Sequence, residues 1–294
     1  MRILFKIFVA CLLISSFMYA FSWATSAALK NKSSETLTFL SVGFDDSPSN
    51  TDVLGVITYD VSQNTVRMVQ IPRDTAVDID GVNKINSFYS KKVLEGKTHQ
   101  EALEALKEFT SELLGIEIDG YIALTSQGFK DAVDFMGGVD INTELLPDAL
   151  VRDMQLSGKT HFSGAEALSL VRYRKGYVKG DIERLDTQKI FLRALAVGIR
   201  DKKDKFSLLR FIKTNEGISF SVDGGRAFSF VSKNIFKIMD GVDVQIATLP
   251  GRAEKNDDTW YYLIDKDRAD ALLSGYFPDT DFVFDVKGKF IYDF

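Results

Sequence analysis

Apolar residues arrive first as one long block and then in short bursts with two different periods. The block runs from Ile7 to Leu29, 23 residues without a charge, with Arg2 and Lys6 before it and Lys30 and Lys32 after it. At 1.5 Å per residue, a helix of that length covers a hydrocarbon core of roughly 30 Å. A secretory signal has a shorter apolar core, about 7–15 residues, and a small-residue cleavage site. Ser22-Trp-Ala24 and Thr25-Ser-Ala27 can be read as such sites, but the length favours an uncleaved signal anchor. Segments 1–6 and 30–35 then read as a short cytoplasmic start and a linker. Later apolar runs are too short to span. The expected protein is therefore single-pass in the cell membrane, with its bulk extracytoplasmic.

After the linker the period alternates between two and 3.6. Thr36–Val42 is a β-rich apolar run closed by Gly43, and Val53–Tyr59 is a second. The turn residues Ser62-Gln-Asn64 lead into Val66–Ile71, which predicts a hairpin ended by Pro72. From Thr98 to Leu114 the apolar residues Ala102, Leu103, Leu106, Phe109 and Leu113 keep helical spacing, with Thr98 as cap. Gly120–Leu124 reads as a strand, and Ser126–Phe135 as a helix closed by Gly137-Gly138. Ser163-Gly-Ala-Glu166 has the capping-box pattern before Ala167–Val171. Asp181 is placed to cap a helix running to about Ile199. A helix near Ala227–Met239, a strand at Val244–Leu249 and a helix near Lys266–Leu273 follow. The fold class is α/β, a central mixed β-sheet covered by helices on both faces. One domain is expected over 36–275, with a tail over 276–294 that suggests a hairpin; Phe206–Phe220 gives no assignable pattern.

Composition narrows the picture in two ways. The only cysteine, Cys11, lies in the apolar block, so the rest of the chain has neither disulfide nor thiol nucleophile. The formal net charge is -5, and no basic DNA-reading helix is found on the cytoplasmic side, where only six residues precede the anchor. Against that balance, seven Lys/Arg face three Asp/Glu between Arg172 and Arg193. Arg172 and Arg174 would point one way from an extended segment. Arg184 and Gln188 stand four apart on one face of the next helix. Arginine's planar fork suits phosphate oxygens, although the same pattern fits a solvated helix face.

Carboxylates and further cations fall at loop ends. Asp45 and Asp46 follow the first strand and Asp52 precedes the second. Brought together, Asp45 and Asp52 make a hard oxygen site suited to Mg2+; alternatively, they bond turn amides. Arg73 and Asp74 follow the third strand, and Lys84 comes one short loop later. His99 and His161 are isolated in sequence and read as surface residues.

In order, these stretches resemble the LytR-CpsA-Psr family, enzymes that attach glycopolymers to the bacterial cell wall. The matching motifs are Val42-Gly43-Phe-Asp45 with Asn50-Thr51-Asp52, Ile71-Pro-Arg73-Asp74-Thr75, Lys84-Ile-Asn86, and Gly137-Gly138-Val-Asp140. The longest runs from Gly164 through Arg172-Tyr-Arg174 to Asp181-Ile-Glu-Arg184-Leu-Asp-Thr-Gln188, and Thr248-Leu-Pro-Gly251 with Trp260-Tyr-Tyr262 resembles the usual end. Ser47 stands where the family usually has an arginine, and the loop from Asp45 to Asp52 is short.

The resemblance implies a donor glycopolymer on a polyprenyl pyrophosphate, a peptidoglycan hydroxyl as acceptor, and a phosphodiester product. It places Arg73, Lys84, Arg172, Arg174, Arg184 and Gln188 on the pyrophosphate and Mg2+ on Asp45 and Asp52. Arg73 and Arg174 would act at the reacting phosphate, and Asp74 or Asp181 would take the acceptor's proton. A lipid-linked donor also implies an apolar tunnel, for which 23 Phe are ample material but no proof. Teichoic acid and capsular polysaccharide both fit such a donor. Two other readings use the same residues: a Mg-dependent polyprenyl-pyrophosphate hydrolase, and a non-catalytic regulator of the cell envelope.

Overall fold

Alternation of side chains along the first strands sets the layers of the molecule. The computed structural model describes residues 36–45, 50–79, 81–177, 181–201, 210–212, 214–222, 242–277, 283–285 and 288–294. The apolar block, Asp46, Ser47 and the helix expected near Ala227–Met239 lie outside them. Among the described residues no helix is long and apolar enough to cross a membrane.

Strands β1 (Thr36–Phe44) and β2 (Thr51–Asp60) pair antiparallel, and β3 (Thr65–Ile71) folds back on β2 as expected. Short strands β4 (Ala76–Ile79) and β5 (Val82–Lys84) pair with each other and lead into α1 (Phe88–Leu94) and α2 (His99–Leu114). β6 (Gly120–Leu124) joins β1 in parallel, followed by α3 (Ser126–Met136). β7 (Val139–Asn142) and, beyond α4 (Asp148–Asp153), β8 (Lys159–Phe162) form a separate hairpin. Then come α5 (Gly164–Arg172), α6 (Asp181–Asp201), β9 (Ile218–Val222) and β10 (Asp243–Thr248). A last hairpin, β11 (Gly251–Asn256) with β12 (Thr259–Ile264), precedes α7 (Lys266–Tyr276). The main sheet runs β10-β3-β2-β1-β6-β9 and is mixed: β10 on β3 and β6 on β1 are parallel, the rest antiparallel.

One face of this sheet holds the larger core. Leu40, Val42, Leu54, Val56, Val69 and Ile71 alternate along β1–β3 and pack with Leu103, Leu106 and Leu113 of α2 and Leu273 of α7. Gln70, between Val69 and Ile71, points the other way, where its amide meets Gln188 of α6 at 3.5 Å. Helices therefore cover both faces. A second core, around Val133, Ile141, Phe162, Leu170 and Phe191, binds α3, α5 and α6 to the β7–β8 hairpin and includes no residue of the main sheet.

Local chemistry sets the element ends. Thr98 caps α2 in a reciprocal box, its hydroxyl accepting from Glu101 N–H at 3.3 Å and Glu101 accepting from Thr98 N–H at 2.8 Å. Gly137 and Gly138 close α3 at φ 85° and 81°. At Gly138 an added Cβ would sit 2.3 Å from His161 Nε2 and 2.8 Å from Phe162 O, so only glycine admits β8 here.

Several features depart from the pattern reading, among them β4, β5, β7, β8, α1 and α4, which had no expected counterpart. β9 occupies the end of the unassigned Phe206–Phe220 stretch and runs beyond it, and the β11–β12 hairpin had no periodic signal. The described tail residues lie along β4, where Asp78 N–H donates to Lys289 O at 2.8 Å and Ile291 N–H donates to Ala76 O at 3.2 Å.

Candidate active site

The end of the β1–β2 pair carries the first two carboxylates. Phe44 pairs with Thr51 and Gly43 with Val53, so Asp52 is the extra residue of a β-bulge. A bulge bends its strand and re-aims one side chain. Here Asp52 Oδ1 accepts from Arg73 Nη1 at 2.6 Å. Asp45, just past β1, is bonded by Arg172 Nη2 at 3.1 Å, and the same nitrogen donates to Ser126 Oγ at 2.5 Å.

Arg73 stands on a tight turn between β3 and β4. The buried Thr75 locks that turn, its N–H and hydroxyl both donating to Pro72 O at 3.0 and 2.6 Å. Asn86 N–H donates to Arg73 O at 3.2 Å and Ile85 N–H to Thr75 O at 3.0 Å, which brings Lys84 beside the turn. Lys84 Nζ then donates to Asp74 Oδ1 at 2.9 Å, while Asp74 Oδ2 lies 3.6 Å from Arg73 Nε.

Asp181 and Arg184 come from the first turn of α6. Asp181 was expected as a helix cap; instead its carboxylate serves arginines. Oδ2 accepts from Arg184 Nη2 at 3.0 Å, and Oδ1 lies 3.7 Å from Arg174 Nε and 3.9 Å from Arg73 Nε. Arg184 is 1% exposed and also donates to Asp52 O at 3.4 Å. Arg172 and Arg174 were expected side by side on an extended segment. Arg172 is in fact the last residue of α5, and the two side chains reach different carboxylates, Asp45 and Asp181.

The cluster thus joins Arg73, Lys84, Arg174 and Arg184 to Asp52, Asp74 and Asp181, four cations against three anions, with the Arg172–Asp45 pair bonded to Ser126 at the start of α3. Gln188 is not in this contact set. It is buried on the same helix, donating to Val171 O at 3.2 Å and meeting Gln70. Burial opposes the charge of Arg73, but Asp181, Asp52 and Asp74 outweigh it and raise its pKa. Burial depresses Arg184, Asp181 partly offsets this, and the neighbouring cations Arg174 and Arg73 reinforce it.

Three buried atoms of the cluster have no hydrogen-bond partner: Arg73 Nε, Arg184 Nε and Asp181 Oδ1. Each such atom costs about 1–3 kcal/mol. Two guanidinium donors left without hydrogen bonds among an excess of cations are what an anion's oxygens would satisfy. Among the described residues no group of three or more His, Cys, Asp or Glu converges as a metal cage.

The histidines stand apart from the cluster. His99 bonds the Tyr89 hydroxyl at 2.7 Å and Ser219 Oγ at 2.9 Å, and His161 Nδ1 bonds Asp140 at 2.8 Å. Sequence reasoning missed Ser126 as the residue that steadies Arg172. Its position after the helix cap Thr125, at the end of β6, is the one signal that could have found it.

The LytR_cpsA_psr family model matches residues 19–275. Over 155 residues the chain is 37% identical to the polyisoprenyl-teichoic acid–peptidoglycan teichoic acid transferase TagV of Bacillus subtilis, a match spanning 49% of this chain and 37% of that protein. Over 242 residues it is 28% identical to the transferase TagU of Bacillus mycoides, 80% of this chain and 76% of that one. The crystal structure of B. subtilis TagV shares the fold, with a TM-score of 0.63 at 24% identity, covering 85% of this chain and 100% of the other.

Proposed function

Because the chain belongs to the LytR_cpsA_psr family, we propose that it transfers a glycopolymer from a polyprenyl-pyrophosphate carrier onto a peptidoglycan hydroxyl. The observation that carries this reading is the pair of buried guanidinium nitrogens, Arg73 Nε and Arg184 Nε, that make no hydrogen bond inside a cluster with one excess positive charge. A pyrophosphate supplies oxygens to both. The relatives' names, transferases of polyisoprenyl-linked teichoic acid to peptidoglycan, support the same donor and acceptor.

In this reading Arg73, Arg174 and Arg184 grip the two phosphates, and Asp181 holds the three guanidinium groups in register. Lys84 adds charge at the rim, and Arg172 does so from Asp45. Gln188, buried against Gln70, supports α6 rather than touching phosphate. The acceptor oxygen attacks the sugar-bound phosphorus. The bond from that phosphorus to the bridging oxygen breaks, and the lipid phosphate leaves with the electron pair. Asp74, bonded to Lys84 at the edge of the cluster, receives the acceptor's proton. Positioning and charge neutralisation supply most of the rate in such transfers.

Asp45 and Asp52 would hold Mg2+. Two carboxylates, with no cluster of three or more His, Cys, Asp or Glu among the described residues, suit an ion that keeps waters and takes phosphate oxygens from its substrate. When bound, it would neutralise charge on the phosphates. The apolar block at 7–29 would tether the domain to the outer face of the cell membrane, where a lipid-linked donor resides.

The test is to incubate the full chain with a lipid-linked donor and Mg2+, with and without peptidoglycan oligomers. Expected is lipid phosphate released only when acceptor is present, together with polymer joined to the glycan. Release of free polymer phosphate at the same rate without acceptor would replace transfer with hydrolysis. Arg174→Ala, at a side chain 42% exposed, is expected to lose about 100-fold in rate with an unchanged melting temperature.

A further inference from the structure

An aromatic surface begins where the charged cluster ends, and phosphate chemistry has no use for it. The β11–β12 hairpin is built onto the Arg73 turn. Thr75 bridges Tyr262, and Tyr262 N–H donates to Asp74 O at 2.8 Å. Tyr262 points inward, with its hydroxyl donating to Leu249 O at 2.9 Å. Strand alternation therefore turns Tyr261 to the other side, where Lys84 Nζ lies 5.2 Å from its ring centroid. The Phe294 ring meets Tyr261 edge-on at 4.9 Å and is 53% exposed. Arg252 of β11 holds that tail in place, donating to Asp293 Oδ1 at 2.6 Å and Tyr292 O at 3.4 Å.

The surface is thus an aromatic pair, Phe294 half open to solvent and Tyr261 partly buried, adjoining an ammonium that is itself bonded to Asp74. An isoprenoid tail prefers a closed apolar lining, and a metal needs oxygen ligands. A pyranose fits: its axial C–H face stacks on a ring while its hydroxyls bond to a neighbouring ammonium or carboxylate. We infer that Tyr261 and Phe294, with Lys84, form a pyranose-stacking subsite for the saccharide next to the reacting phosphate. This rests on the glycopolymer-transfer reading. The sugar has two sources, the first residue of the donor polymer or the acceptor glycan.

The test uses the full chain, an N-acetylglucosamine tetramer as a phosphate-free saccharide, and geranyl pyrophosphate as a sugar-free carrier. Tyr261→Leu and Phe294→Ala are each expected to weaken tetramer binding about tenfold, while Tyr261→Phe keeps it. Geranyl pyrophosphate affinity should stay within about twofold in all three. In turnover, a raised KM for peptidoglycan oligomers alone assigns the acceptor glycan, and a raised KM for the donor alone assigns the donor's first sugar. Unchanged tetramer affinity in both Tyr261→Leu and Phe294→Ala overturns the subsite. Equal loss of tetramer and geranyl pyrophosphate also overturns it, because the aromatic pair would then serve the phosphate cluster. Arg174→Ala separates the two readings: if it keeps geranyl pyrophosphate affinity, the pyrophosphate assignment fails whatever Tyr261 does.

Discussion

Asp181 shares one carboxylate among Arg73, Arg174 and Arg184, and the buried Arg184 depends on it for most of its compensation. Residues of this kind are costly to hold in place. A comparable buried pair sits at the far end of the hairpin, where Arg67 Nη1 lies 3.4 Å from Asp60 Oδ2 and both are nearly inaccessible. Burial works against the Asp60 charge, but bonds from Ser62, Gln63 and Arg67 outweigh it and hold its pKa below the usual carboxylate range. The folded pKa is thus depressed. The stability it contributes is present above the unfolded value of about 4 and is lost as pH falls through the folded pKa. Asp60→Asn leaves Arg67 buried without its counter-charge and is expected to cost about 3 kcal/mol at neutral pH. Thermal melts across pH check this. The gap between wild type and variant should narrow as pH falls below about 4, and a gap that does not narrow there would sink the assignment. The meeting of Arg184 with Asp52 was not legible in the sequence, because the two are 132 positions apart and come together only in the fold.

Elements were more legible than their partners. The period-two runs of β1–β3 and the 3.6 period of α2 declared themselves, since each buries one face against the same core. The caps at Thr98, Gly137 and Gly138 were readable because capping is local chemistry. Gly138→Ala puts an L side chain at φ 81° and against His161 and Phe162. The backbone term alone is about 1–2 kcal/mol, so differential scanning calorimetry should show a fall of roughly 5 °C. An unchanged melting temperature would mean that β8 is not packed as described. By contrast, β9 and the β11–β12 hairpin gave no clean alternation. β11 has no fully buried residue, and its pairing with β12, not an apolar face, makes it a strand. The bulge at Asp52 was also invisible, because an extra residue is defined only by the strand opposite.

At the scale of the molecule, the site is a meeting place rather than a segment. It draws on the ends of β1 and β2, the β3–β4 turn, β5, the end of α5 and the start of α6. A ligand that bridges so many elements should stabilise all of them together. Geranyl pyrophosphate with Mg2+ at 100 times its Kd should add about 2.7 kcal/mol, a rise in melting temperature of roughly 5–10 °C. Differential scanning fluorimetry reads this directly, and Arg174→Ala is expected to abolish the shift. A wild-type protein with no shift would argue against a pyrophosphate ligand. By itself the sequence determined the α/β alternation, most element ends and the residue types that suit a phosphate, because periodicity, capping and side-chain chemistry are properties of short stretches. Only the tertiary structure decided that Asp181 organises arginines instead of capping α6, that Arg172 and Arg174 part ways, that Gln188 faces Gln70, and that Tyr261 adjoins Lys84. Each of those outcomes depends on which distant backbone lies opposite, and strand register and helix packing set that over separations no local pattern encodes.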